Sequence, residues 1–243
     1  MTIVSRAALA LAAALALTGC HKSDDTAAFD NRVHAYLMAH PEVIREAADR
    51  LRDKDQAALA KASTDALSKY RQKLERDPRD FVANPNGQVT VVEFFDYRCG
   101  YCKLAAPQVV QLIKEHPDVR FVFKEFPIFG DVSDAAAKIA LSPQAKAKGL
   151  DIYQAWMSEK ALTNATIDSH LKDAGVDVAA ARKAAADPAI ERQLLDTRVL
   201  ASALRLEGTP AFVIGDTLVP GADMAAVRAA ITVAKAGKVK TVS

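Results

Sequence analysis

The stretch "VVEFFDYRCGYCK", from Val91 to Lys103, sets β-branched and aromatic residues directly before Cys99 and Cys102. The apolar run predicts a buried strand over Val89 to Phe95. Cys99 then opens a helix that continues to about Lys114. Residues i and i+3 of a helix share one face, so the two sulfurs lie close enough to bridge. A sulfur at the helix start faces unpaired backbone N–H groups and the positive end of the helix dipole. Both favour the thiolate, which is the nucleophile and the better leaving group in disulfide exchange. Cys99 is therefore expected to be the reactive thiol, and Cys102, less exposed, the one that resolves a mixed disulfide.

The remaining cysteine, Cys20, closes the opening segment "MTIVSRAALALAAALALTGC". Its apolar run, Ala7 to Leu17, is shorter than the roughly 20 residues that span a bilayer. It fits the core of an export signal. Leu17-Thr18-Gly19-Cys20 resembles the bacterial lipobox, which implies cleavage before Cys20 and a lipid on its thiol. Residues 1–20 are read as a lipoprotein signal and 21–28, "HKSDDTAA", as a polar tether. An ordinary secretory signal is the alternative. The expected location is the periplasm, with the membrane reached by the lipid anchor only. His21 in place of Asp implies, by resemblance to enterobacterial sorting, the outer membrane rather than the inner. With Cys20 lipidated, Cys99 and Cys102 stand alone where disulfides persist.

The chain has 243 residues, half of them apolar, enough for one domain with its own core and a smaller attachment. Its net charge of +2 and lack of a long Lys/Arg run argue against nucleic acid as a partner. A tetrahedral zinc site needs four ligands, and no second cysteine pair or close histidine pair accompanies Cys99 and Cys102. No metal and no cofactor is expected.

Residues 29–76 read as a helical extension, with Ile44, Ala48, Leu51, Ala58, Ala62, Ala66 and Tyr70 recurring at helical spacing. So Ala-rich a face packs either on the main domain or on copies of itself, making a homo-oligomer through 29–76 possible. Asp77 to Gln88 reads as a turn-rich linker. Val119 to Phe126, "VRFVFKEF", is a second strand, parallel to the first through a right-handed crossover. From 131 to 206 the pattern is helical throughout, with Ser133 and Asp177 as N-caps and Pro188 in a first turn. "GTPAFVIGDTLVPG" reads as two short strands about a tight Gly215-Asp216 turn, followed by a helix over 223–236. A helical insertion, 131–206, thus divides an α/β core made of 80–130 and 207–243.

Glu93 six residues before Cys99, Cys99-Gly100-Tyr101-Cys102, Pro107, Thr209-Pro210, the helical insert and the "FVIGDTLVPG" ending together resemble the DsbA-like thiol–disulfide oxidoreductases. These form a branch of the thioredoxin fold with an inserted helical domain. The resemblance covers about 80–240, and the N-terminal helices resemble those of longer lipoprotein or oligomeric members. It implies a cis Pro210 over the Cys99 sulfur, and a Thr209 backbone that pairs with an extended substrate beside Gly100 and Tyr101. It also implies that Glu93 lies beneath Cys102 and moves its proton through water, with a pKa raised by burial. Strongly oxidising members carry Pro-His between the cysteines. Gly100-Tyr101 and Thr209 instead resemble the periplasmic isomerase DsbC. The implied function is making or reshuffling disulfides in exported proteins, leaning to isomerase or reductase. A DsbA-type dithiol oxidase is the alternative, and a two-thiolate copper module a third. The implied partners are exported proteins with cysteines and a membrane redox partner. Phe95, Tyr97 and Trp156 are read as core or rim.

Overall fold

A computed structural model describes residues 23–239. The signal expected over 1–20, with Cys20, lies outside the described residues. By its contacts the chain divides into a unit ending at Leu59 and one beginning at Ala60.

The first unit holds α1, Ser23–Ala39, and the opening part of the long helix α2, Glu42–Glu75. The tether expected over 21–28 is helical from Ser23 onward. Phe29, Val33, Tyr36, Met38, Ile44 and Leu51 are all exposed large apolar side chains here.

The second unit is built on a five-stranded sheet, order β1-β3-β2-β4-β5. Its strands are β1, Phe81–Ala83; β2, Val89–Phe95; β3, Val119–Glu125; β4, Ala211–Ile214; and β5, Thr217–Pro220. β2 and β3 run parallel, with Glu93 opposite Phe123 and Phe95 opposite Glu125. The crossover between them is α3, Gly100–Glu115, so the chain leaves β2 directly into the helix that carries the cysteines. β1, β4 and β5 pair antiparallel with their neighbours. Every residue of β2 and β3 is buried, as expected for strands covered on both faces. Alternation sends Val91, Glu93 and Phe95 to one side and Val92 and Phe94 to the other.

The first side packs under α3, under α10, Met224–Val239, and under the helical block. That block is six helices: α4, Asp131–Ala140; α5, Pro143–Lys146; α6, Gly149–Ser158; α7, Asn164–Asp173; α8, Val178–Ala185; and α9, Pro188–Ala203. Asp177 caps α8 and Pro188 opens α9 as expected. Ser133 does not cap α4. Gly130 holds that position at φ 86°, and Ser133 is buried one turn in.

The second side packs under α9 and the end of α2. Among the described side chains of α2, Leu67 and Leu74 are the buried ones, with Ala66 and Tyr70 beside them, while Ala48, Ala58 and Ala62 stay exposed. The buried stripe is therefore set by the leucines rather than by the alanine repeat. β1 was expected as linker. Three residues show no period, and their strand character comes from pairing with β3.

Two charges fix this face. Lys124, on β3, forms a buried ion pair with Asp80 Oδ2 at 2.5 Å and donates to the Lys73 carbonyl at 2.6 Å. Gln193 donates to the other Asp80 oxygen at 3.1 Å. Arg120 donates to the Glu75 carbonyl, so two β3 cations close the open carbonyls at the end of α2. Burial pushes the Asp80 carboxyl up to about 6 against the pull of Lys124. Lys124→Met leaves that carboxylate buried without its cation, and a loss of about 3–5 kcal/mol is expected in urea unfolding. Lys69→Met, at an exposed position, should change stability by less than about 0.5 kcal/mol.

Candidate functional site

The site forms where β2 ends. Cys99 occupies the N-cap of α3 in extended conformation, and no side chain caps the helix. Its own N–H donates to the Asp96 carbonyl at 3.1 Å, and its carbonyl accepts from Lys103 N at 3.1 Å. Its sulfur thus stands at the open N–H groups of the first turn. From the other side Thr209 arrives, the residue before cis Pro210. While protonated, the Cys99 thiol donates to the Thr209 carbonyl at 3.1 Å. The Thr209 hydroxyl is buried without a hydrogen-bond partner in this arrangement, and the Thr209 side chain lowers the Cys99 pKa.

The two free thiols differ sharply. The Cys99 thiol is pulled down to about 5, first by a hydrogen bond from Cys102, then by Thr209 and the N–H groups of Cys102 and Tyr101, against partial burial. Cys102 is fully buried. Burial pushes its thiol up, reinforced by its bond to Cys99 and by the Glu93 charge. Such a pair holds one thiolate and one thiol.

Glu93, in the central strand, is 1% exposed. Tyr153 of α6 donates to both its carboxylate oxygens at 3.1 Å. Burial raises its pKa to about 8, and the Tyr153 bond only partly offsets this. Glu93 is thus a carboxylic acid at neutral pH, near enough to Cys102 for its charge to be felt there. Proton exchange between the two suits a thiol that must alternately lose and regain its proton.

Of the other expected positions, Gly100 opens α3 with open space around its Cα, and Tyr101 is 66% exposed. Pro107 lies within α3. Trp156 and Phe95 are core, and Tyr97 is buried with its hydroxyl donating to Glu125 at 2.9 Å. Cys20 lies outside the described residues. Three positions escaped the sequence reading: Tyr153, Glu125 and Asp96. Tyr153 falls in a helix 60 residues after Glu93, where no spacing signals it. Glu125 is the one acid of its strand, but Arg120 and Lys124 in the same strand remove the contrast that marked Glu93.

A family model described as Thioredoxin matches residues 77–232. One described as Copper resistance protein ScsC N-terminal domain matches residues 25–58. The structure of Salmonella enterica Typhimurium BcfH is 32% identical, with 87% of this chain and 96% of that one covered and a TM-score of 0.70. The thiol-disulfide exchange protein alpha-DsbA2 from Wolbachia pipientis is 30% identical, with coverage of 76% and 98% and a TM-score of 0.65. A periplasmic thioredoxin-like protein from Salmonella enterica serovar Typhimurium is 27% identical, with coverage of 68% and 95% and a TM-score of 0.63. Curated relatives are Na(+)/H(+) antiporters NhaA, 39% identical over 74 residues in Salinispora tropica and 29% over 169 residues in Salinispora arenicola. The chain spans only 11% and 26% of the length of those antiporters.

The raised Glu93 pKa has a pH signature. Between its usual 4.5 and about 8, the unfolded chain releases a proton that the folded chain keeps. Its share of folding stability is thus full below pH 4.5 and falls as pH rises to about 8. Glu93→Gln removes this dependence. Its stability relative to the unsubstituted chain should climb across that window, by at most about 1.4 kcal/mol per pH unit. Urea unfolding at a series of pH values measures it, and a flat difference would place Glu93 in solvent.

Proposed function

Because the chain belongs to the thioredoxin family, in its DsbA-like branch, we propose that it is a thiol–disulfide oxidoreductase acting through Cys99 and Cys102 on exported proteins. The observation that carries this reading is the inequality of the two sulfurs. Cys99 is an anion at a helix start against Thr209, and Cys102 is a buried thiol one turn on. The Cys99 thiolate attacks a substrate disulfide, forming a mixed disulfide and releasing one substrate thiolate. That thiolate can attack a different disulfide of the same substrate, and the thiolate this frees attacks the substrate sulfur of the mixed disulfide and returns Cys99, which is isomerisation. Otherwise Cys102 gives its proton to Glu93 in the minor fraction of molecules where that carboxyl, with its pKa of about 8, is ionised, then attacks the Cys99 sulfur and frees the second substrate thiolate, leaving substrate reduced and enzyme oxidised. Run backwards, the same steps oxidise a dithiol, with Glu93 protonating the departing Cys102.

Isomerase or reductase is the direction we favour. Gly100-Tyr101 and Thr209 support it, as does the exposed apolar side of α1 and α2 in the segment that resembles the ScsC N-terminal domain. Such residues can join copies of the chain, setting several sites in one assembly. The second reading, a dithiol oxidase, draws on the Cys99 pKa of about 5, since a stable thiolate leaves readily. The export signal expected over 1–20 and the likeness to a periplasmic relative support action in the periplasm. Lipidation at Cys20, with the outer membrane as its site, belongs to the same proposal, as does a membrane redox partner.

Refolding of a scrambled-disulfide protein separates the two directions. We expect recovery of native pairing with the reduced protein, none with Cys99→Ala, and trapped substrate-linked adducts with Cys102→Ala. Sedimentation of mature protein lacking 1–20 should show an oligomer, and Phe29→Asp with Tyr36→Asp should reduce it to the monomer. A monomer that only oxidises dithiols would favour the second reading.

A further inference from the structure

Asp96 lies three residues before Cys99 and is 2% exposed. Its carboxylate takes four hydrogen bonds. Oδ1 accepts from Arg98 N at 2.7 Å and Ser133 Oγ at 2.8 Å, and Oδ2 accepts from Ile128 N at 2.7 Å and Phe129 N at 3.1 Å. All four partners are donors, so both oxygens must accept. A carboxylate meets that demand, whereas a carboxamide turns its own N–H against one pair. One buried group therefore joins the turn that presents Cys99, the loop after β3 and the first turn of α4. Arg98 repeats the tie from outside, donating to the Phe129 carbonyl at 2.6 Å.

The loop held this way carries Ile128 and Phe129, 43% and 46% exposed. From the first turns of α3, Tyr101 and Leu104 are 66% and 68% exposed. Large apolar side chains kept in water by buried hydrogen bonds are preorganised, which lowers the entropy lost when a chain docks on them. Resting on thiol–disulfide exchange at Cys99, we propose that Asp96 is a positioning residue for substrate selection: it holds the Pro127–Gly130 loop as a fixed apolar wall for polypeptide segments with apolar residues beside the reacting cysteine.

The test uses the mature chain and Asp96→Asn. Two substrates are compared: a peptide disulfide flanked by Leu and Phe, and glutathione disulfide, which reads sulfur chemistry alone. The variant should raise the KM for the apolar peptide about 10-fold. Its kcat and its rate with glutathione disulfide should stay within about twofold, and amide exchange at Ile128 and Phe129 should accelerate. An unchanged KM despite faster exchange would overturn the proposal. So would a parallel fall with glutathione disulfide, which would make Asp96 a prop for the thiols instead. Should Asp96→Asn fail to fold, Ile128→Ser with Phe129→Ser, both at exposed positions, must reproduce the KM rise, and a normal KM there overturns it equally. An unsubstituted chain inert toward glutathione disulfide would instead defeat the exchange reading itself.

Discussion

One sulfur anion, held at the start of α3 against Thr209, is the interaction on which the rest of this structure depends. The fold supplies both halves of its environment from distant parts of the chain. β2 delivers Cys99 to a helix start that no side chain caps, so the open N–H groups are left to the sulfur. β4, antiparallel to β2, brings Thr209 and Pro210 to the same edge 110 residues later. The sheet order that places β4 beside β2 is therefore a condition of the chemistry. Both faces of β2 and β3 are covered, which fixes their register and with it the height at which the helix begins.

The second condition is that Cys102 differ from Cys99. It does so by its surroundings: both residues are buried, but the Cys99 sulfur meets donors from Cys102, Thr209 and the first-turn N–H groups, whereas Cys102, one helical turn on, is closed off completely and faces the Glu93 charge. A buried thiol resists ionisation, so its proton needs a nearby acceptor. In the proposed exchange Glu93 takes that part, since burial makes it a weak acid and Tyr153 holds it without a cation. A basic partner would have lowered the Glu93 pKa and ended that role. The nearest buried cation on these strands, Lys124, points to the opposite face, where it closes the end of α2.

Much of this was legible because it is local. The β2 run, the Cys99 helix start, the Asp177 cap, the Pro188 first turn and the Gly215-Asp216 hairpin each follow from neighbouring residues. Gly215 adopts φ 58°, as its tight turn requires. Glu93 was legible because an acid in an apolar strand must have a reason. What was hidden is non-local. β1 exists only by pairing with β3. Ser133 looked like a cap, yet Gly130 begins the helix and Ser133 turns inward to Asp96. Leu67 and Leu74 face the sheet with Ala66 and Tyr70 beside them, while Ala48, Ala58 and Ala62 stay exposed, because the larger side chains fill the space above Val92 and Phe94. The four donors on Asp96 come from three segments, and no spacing in the sequence announces them.

The central claim is the anion, and the most direct measurement is its own titration. Ultraviolet absorbance of the thiolate, followed against pH in the reduced mature chain and in Cys102→Ala, reports it without any substrate. The account predicts one thiolate in the reduced chain appearing with a midpoint near 5, and a higher midpoint once the Cys102 thiol no longer donates to it. A single midpoint near 9 in both proteins, the value from which Cys99 is displaced here, would contradict the account.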